Sequence, residues 1–440
     1  MKRGHTHPLS SFLLAFALIA GLAAPVLAGG GWLDLTFDED GIVYTDFGGY
    51  SDEIRDLVIQ PDGKIVAVGT GGSNEHFPPY GFGVARYLPN GALDPEFSGD
   101  GKALTYPTGY GNRAYAVVMQ PDGALVVGGQ ANLEFGDFGL IRLRPDGSLD
   151  TAFSGDGIVI TNLGRQDDVI MDLALQPDGR IVAVGRTRTG DDTDVALARY
   201  NADGTLDASF SGDGIEVTQV GADHTAGVRV ALLPNGKILA LAQRNGASPA
   251  MILLRYNADG SLDRTFDGDG IAIPDIGPKG GIPNDMLVLP NGKILLAGTF
   301  GVGDTYGIAR VNADGTIDRT FGVDGRALTP QYVNGVTAMA RQPDGGILLS
   351  GRHYAGADTT FSVTRFTSSG ALDTRFGVGG VMVANVGIQP VPWAMALDAE
   401  GKIVLGGTQY FGTISADFTL VRFAPPLIVM RSTWLPVVMR

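Results

Sequence analysis

The chain contains no cysteine. Disulfides, thiolate metal centres and cysteine nucleophiles are therefore excluded. Histidine is almost as scarce. Two of the five, His5 and His7, lie before residue 29, and the other three are His76, His224 and His353. Imidazoles suit transition metals, but these three fall in well-separated stretches, so no metal site is expected from them. Nucleophile-elbow, dinucleotide-fingerprint and P-loop motifs are all missing. No apolar run after the N-terminus is long enough to cross a bilayer, which takes about 20 residues. Basic residues are in deficit, 32 against 47 acidic, for a net charge of −15. A surface of that sign repels nucleic acid and anionic lipid.

The first 28 residues form a unit of their own. Lys2 and Arg3 supply a positive end, residues 12–22 are apolar, and Val26-Leu27-Ala28 offers small residues before Gly29. This is the pattern of a secretory signal peptide cleaved near Ala28, so the expected location is secreted or at the cell surface. A membrane anchor is the weaker alternative, because the apolar run is short. Without Lys2 and Arg3 the net charge becomes −17.

What the chain has in abundance is repetition. Leu/Ile-Asp-x-x-Phe occurs seven times, with its aspartate at Asp34, Asp94, Asp150, Asp207, Asp263, Asp318 and Asp373. The steps between them are 60, 56, 57, 56, 55 and 55 residues. A fixed period of this size marks a repeat architecture. Within a module, residues 54–60 and 64–70 are β-rich runs around Pro61-Asp62-Gly63, which reads as a hairpin. The turn recurs as Pro-Asp/Asn-Gly at Gly123, Gly179, Gly236, Gly292 and Gly345, and weakens to Ala399-Glu400-Gly401. A third run covers 82–87 and a short fourth covers 101–105.

Four short strands per module make a propeller blade. The expected fold is thus all-β, a seven-bladed β-propeller with four antiparallel strands per blade over residues 29–423. An apolar, proline-interrupted tail follows at 424–440. An open β-solenoid is the runner-up. The last module lacks a fourth strand, while residues 41–45 near the N-terminus are surplus. The N-terminal strand is therefore expected to complete the last blade and close the ring.

The combination P-D-G-K-I-V-x-x-G, followed by A-R-Y-N-x-D-G-S/T-L-D-x-x-F-x-x-D-G, resembles the delta-60 repeat family of bacterial exported proteins; its fullest copy spans 201–214. The resemblance covers residues 31–423. It implies a propeller-like repeat and an extracytoplasmic setting, and it carries no known activity.

An arginine recurs in the third strand at Arg86, Arg142, Arg199, Arg255, Arg310, Arg365 and Arg422. The first six stand eight residues before Asp94, Asp150, Asp207, Asp263, Asp318 and Asp373. Such constancy suggests a repeated structural ion pair, and ring closure should unite the leftover Arg422 and Asp34. The Asp-Gly steps from Asp40-Gly41 to Asp324-Gly325 faintly resemble calcium loops, but glycine falls at position 4 and the terminal glutamate is lacking. Turn capping is the expected role and structural calcium the alternative; no other cofactor or metal is expected.

The second-to-third and fourth-to-first connections vary in length and chemistry, whereas the other turns are nearly uniform. Variable loops on a rigid scaffold are where binding concentrates. That face carries His76, Tyr80, Tyr110, His224, Lys279, Tyr332, His353, Tyr354 and Tyr410. Aromatics with few charges suit a carbohydrate or a protein partner. The expected function is a secreted, monomeric, non-catalytic binding module. The alternative is an extracellular polysaccharide hydrolase or lyase with its site at the propeller axis, for which paired carboxylates would be needed.

Overall fold

The computed structural model describes residues 32–48, 51–72, 80–109, 111–132, 136–164, 166–246, 249–277, 280–301, 305–355, 358–411 and 415–424. The signal-peptide region, His76, Tyr110, Lys279 and residues 425–440 lie outside them.

Seven antiparallel sheets follow one another around a ring. Blade 1 runs from the axis outward through Glu53–Ile59, Ile65–Gly71, Gly81–Tyr87 and Lys102–Thr105. The two inner strands meet at a turn in which the Gly63 N–H donates to the Gln60 carbonyl at 2.9 Å. Pro61 presets the turn, and Gly63 takes φ +83°, a left-handed value that L side chains rarely adopt. All the described elements are strands.

Blade 7 is assembled from both ends of the chain. Ile42–Thr45 pairs antiparallel with Ser415–Phe423, with Ile42 opposite Val421 and Thr45 opposite Phe418. The closing strand is therefore the N-terminal one, as the strand arithmetic requires.

Blade 6 departs from the pattern. Its inner strand is split into Val333–Asn334 and Met339–Arg341, which gives 29 strand segments where four per blade would give 28. In the six other blades the inner strand carries a β-bulge, the extra residue being Arg55, Tyr115, Met171, Val228, Asn284 or Trp393. The bulge explains a glycine of the repeat. A Cβ on Gly69, Gly129 or Gly185 in the second strand would lie 1.8–1.9 Å from an inner-strand carbonyl oxygen.

The core lies between blades. One layer joins Phe82 and Phe97 of blade 1 to Val117 and Val127 of blade 2, and equivalent layers recur around the ring. Each module buries its apolar face only against its neighbours, as in other repeat proteins.

The Leu-Asp-x-x-Phe unit ties one blade to the next. Arg199 Nε donates to Asp207 at 2.7 Å, its guanidinium lies 4.8 Å from the Phe210 ring, and Nη1 donates to the Ala258 carbonyl of blade 4. Arg86–Asp94, Arg142–Asp150, Arg255–Asp263 and Arg310–Asp318 repeat this at 2.6–2.7 Å. Arg422 meets Asp34 at 2.8 Å and the Pro89 carbonyl at 2.5 Å. Arg365 pairs with Asp373 but turns its other nitrogens to Gln342 and Asp344 of its own blade. The third and fourth strands of blade 7 come from opposite chain ends, so no continuous turn joins them beside Arg365.

Candidate functional site

Three groups of polar side chains gather on the axis and on the variable-loop face. The first lies around the axis. There Arg55 lies 4.3 Å from the Trp393 ring and 5.8 Å from that of Tyr115, and it pairs with Glu53. Asp56 accepts from the N–H groups of Leu57 (2.9 Å) and Val117 (3.0 Å). Asp172 accepts from Val230 N–H at 2.9 Å. Asp285 accepts from Met286 and Met339 N–H groups and from Arg229 Nε at 3.1 Å. Burial opposes the Arg229 charge, but Asp285, Asp172 and Asp56 outweigh it and push the guanidinium pKa up. Carboxylates on blades 1, 3 and 5 thus clamp the inner strand of the following blade.

The second group sits where the ring closes. Asp46, Asp52 and Asp417 bring carboxylate oxygens within 4.8 Å of one another, a spacing that a cation could bridge. Asp52 is buried and accepts from Phe47 and Gly72 N–H groups. Burial pushes its pKa up to about 6, and Asp46 and Asp417 add to the shift. The blade 2–3 junction has the same layout with one difference: Asn162 donates its amide to Asp137 at 2.7 Å, and Asp168 accepts from Leu163 N–H.

The third group is on blades 6 and 7. Tyr332 meets His353 edge-on at 5.1 Å between ring centroids. Tyr354 N–H donates to the Tyr332 carbonyl at 2.8 Å. Tyr332 and Tyr354 are 42% and 41% exposed. Tyr410 lies opposite the exposed Ile388 on blade 7. Of the twelve buried side-chain atoms without a hydrogen-bond partner among the described residues, six belong here: Arg352 Nε, His353 Nδ1, and polar atoms of Thr359, Thr360, Thr408 and Gln409. Burial lowers the His353 pKa, favouring the neutral ring.

Of the loop-face residues singled out in the sequence, three come together, Tyr332, His353 and Tyr354, while Tyr410 stands on the adjacent blade 7 opposite Ile388. Tyr80 stands apart, its ring 5.8 Å from the Arg113 guanidinium. His224 is also separate; its Nδ1 accepts from Thr193 N–H at 3.2 Å and lies 3.6 Å from Asp192. His224 and His353 occupy different blades. Sequence reasoning missed Arg352, Gln409 and Trp393, because nothing in the repeat marks them as facing the loop side or the axis. It also missed the basic residue after the Pro-Asp/Asn-Gly turn. Lys64, Arg180, Lys237, Lys293 and Lys402 each reach an anchor aspartate at 2.5–3.2 Å. Burial works against the charged aspartates, but these cations, the arginines and nearby hydroxyls hold Asp34, Asp263 and Asp318 well below the usual carboxylate range. The Asp-Gly steps cap turns: Asp40, Asp100, Asp156, Asp213 and Asp269 accept the N–H two residues on at 2.8–2.9 Å.

Six segments, 60–97, 120–153, 176–210, 233–266, 289–321 and 342–376, match a family described as a domain of unknown function (DUF5122) beta-propeller. The protein is a β-propeller repeat protein. Each matched segment runs from a hairpin turn to the phenylalanine of Leu/Ile-Asp-x-x-Phe, and the seventh such unit is divided between the chain ends. No curated protein matches the sequence. Among solved structures, Drosophila Semaphorin 2a is similar at 8% identity, over 87% of this chain and 74% of that one, with a TM-score of 0.52. A Dyadobacter fermentans protein of unknown function is 12% identical over 88% of this repeat protein and all of its own chain, at 0.44. The polysaccharide lyase Uly1 is 12% identical over 84% and 89%, at 0.48. Identities this low speak to the fold alone.

Proposed function

We propose that this propeller is an exported, non-catalytic binding module of the delta-60 type that takes a carbohydrate on its variable-loop face, over blades 6 and 7. One observation carries the reading: Tyr332, His353, Tyr354 and Tyr410 share that sector with half of the unpartnered buried polar atoms. Exposed aromatic rings offer flat apolar surface to a sugar ring, and convergent polar groups fix its orientation. A buried polar atom without a partner calls for an explanation, and a ligand hydroxyl supplies one. The axial carboxylates favour binding over hydrolysis. Asp56, Asp172 and Asp285 are already engaged by backbone N–H groups, and Asp285 also by Arg229. A glycosidase needs a carboxyl pair free to exchange protons with substrate.

The test is a glycan array run beside turnover assays on the same glycans. Binding without product, lost in Tyr332→Ala with an unchanged melting temperature, is the expected result. Product release from any bound glycan would reverse the reading. Export predicts that protein recovered from outside the cytoplasm begins at Gly29.

A further inference from the structure

On the turn face, opposite the variable loops, each third-to-fourth connection holds the blade before it through a carbonyl with a fixed place in the repeat. The N–H after the repeat phenylalanine donates to the carbonyl four residues past the next blade's arginine. Ser98 thus donates to Asp146 of blade 2, and Asp38, Ser154, Ser211 and Gly322 do likewise to Asn90, Asp203, Asp259 and Ser369, all at 2.7–2.8 Å. In blade 6 the corresponding donor is Gly377. Its connection copies that of blade 5: Gly377 has φ +56° where Gly322 has +53°, and the Val378–Val381 bridge repeats Val323–Arg326. Four residues past Arg422 stands Pro426, in the apolar tail. Pro425 before it occupies the repeat position of Pro89 and Pro145. Proline lacks an N–H but keeps its carbonyl, so it can accept there. The tail therefore starts at the place where every other blade supplies a turn to its neighbour.

The same face carries unusual apolar exposure. Val323, Val378 and Leu35 are 81%, 77% and 65% exposed, the most exposed large apolar side chains among the described residues. All three lie in third-to-fourth connections, of blades 5, 6 and 7. Blades 1 to 4 have Gly99, Gly155, Gly212 and Gly268 at the valine position. The apolar surface is thus confined to the blades beside the point where the chain leaves the ring. The sequence after Ala424 is complementary to it. Nine of residues 425–440 are Leu, Ile, Val, Met or Trp. All 47 acidic residues precede the tail, which carries Arg431 and Arg440, and the turn face presents Asp40, Asp269 and Asp324. Sixteen extended residues span about 50 Å, while packed sheets lie about 10 Å apart, so the tail can reach from blade 7 to blade 5. We propose that residues 425–440 form a strap across the turn face of blades 7, 6 and 5. The Pro426 carbonyl accepts from Gly377, and the apolar side chains beyond it cover Val378 and Val323, removing their surface from water. The N-terminal strand closes the outer edge of blade 7, and the strap fastens that blade to blade 6.

Because the chain has no cysteine, single engineered thiols report on this face without background. Val378→Cys, Val323→Cys and, as a control on blade 2, Thr151→Cys are placed one at a time in the whole mature protein. Their rates of labelling by a maleimide are compared with those in a chain ending at Pro426. The expected result is labelling about tenfold or more slower at Val378→Cys and Val323→Cys in the whole chain, with no difference at Thr151→Cys. A full-length variant carrying Leu427→Asp and Val429→Asp should give the same fast rates, whether or not the shortened chain folds. Slow rates in that variant overturn the proposal, as do equal rates at Val378→Cys with and without residues 427–440. Protection that disappears on dilution shows that a second copy is the cover and overturns it as well.

Discussion

Each anchor aspartate is a junction for several donors, and this governs how single substitutions behave. Arg199 is almost fully buried and holds Asp207, Phe210 and the Ala258 carbonyl together. Arg199→Ala should destabilise the protein by about 3 kcal/mol in denaturant melts, because it strands a buried carboxylate and cuts a link to blade 4. Arg199→Lys should recover only part, since an ammonium lacks the planar fork. Acid and neutral pH act on different carboxylates. The anchors have lowered pKa values, so their contribution is present above the unfolded carboxylate value near 3.9 and is lost as pH falls through the folded value. Asp52 is the opposite case: its pKa of about 6 is raised, so its contribution is present below the unfolded value and is lost as pH rises through about 6. The melting temperature should therefore carry a falling contribution from about pH 4 to about pH 6, of ~2–3 kcal/mol in all, and none above that. Asp52→Asn, which cannot ionise, should flatten that slope; an unchanged slope would assign it elsewhere. The Arg–Asp pairs were legible because eight residues separate the partners in every copy. The lysine that joins them arrives from the neighbouring hairpin, and no fixed local spacing exposed it.

At the scale of the strand, the bulge opposite Gly69, Gly129 and Gly185 has a direct consequence. Gly185→Ala would put a methyl group 1.8 Å from the Val169 oxygen. The expected cost is about 2 kcal/mol or more, measured by thermal melting, since strand and bulge would both have to shift. The β-rich runs revealed each strand but not its bulge, because one inserted residue changes neither the composition nor the approximate length of a run. For the same reason the axis was illegible: without the bulge, nothing set Arg55, Tyr115 and Trp393 apart from the other residues of their runs. The split inner strand of blade 6 was equally hidden. The candidate site was half readable. Exposed tyrosines on variable loops marked the face, but Arg352 and Gln409 sit at the loop ends of second strands, where nothing in the repeat distinguishes them.

At the scale of the whole ring, closure depends on Ile42–Thr45 holding Ser415–Phe423 and on Asp34 holding Arg422 and Lys402. Deleting residues 29–45 should leave blade 7 with an open edge and an unpaired buried arginine. The expected outcome is a lower melting temperature and concentration-dependent aggregation by light scattering; a monomer with unchanged melting would contradict it. The order in which the chain is made gives this clasp a further meaning. The first strand synthesised is the last to find its partner, since Val421 emerges only after all the other modules. A chain cut short at any earlier point can fold several blades but cannot complete the circle. Premature termination would therefore yield a product with bare strand edges at both ends of its arc, a feature that distinguishes an incomplete copy from a finished one without any dedicated signal in its sequence.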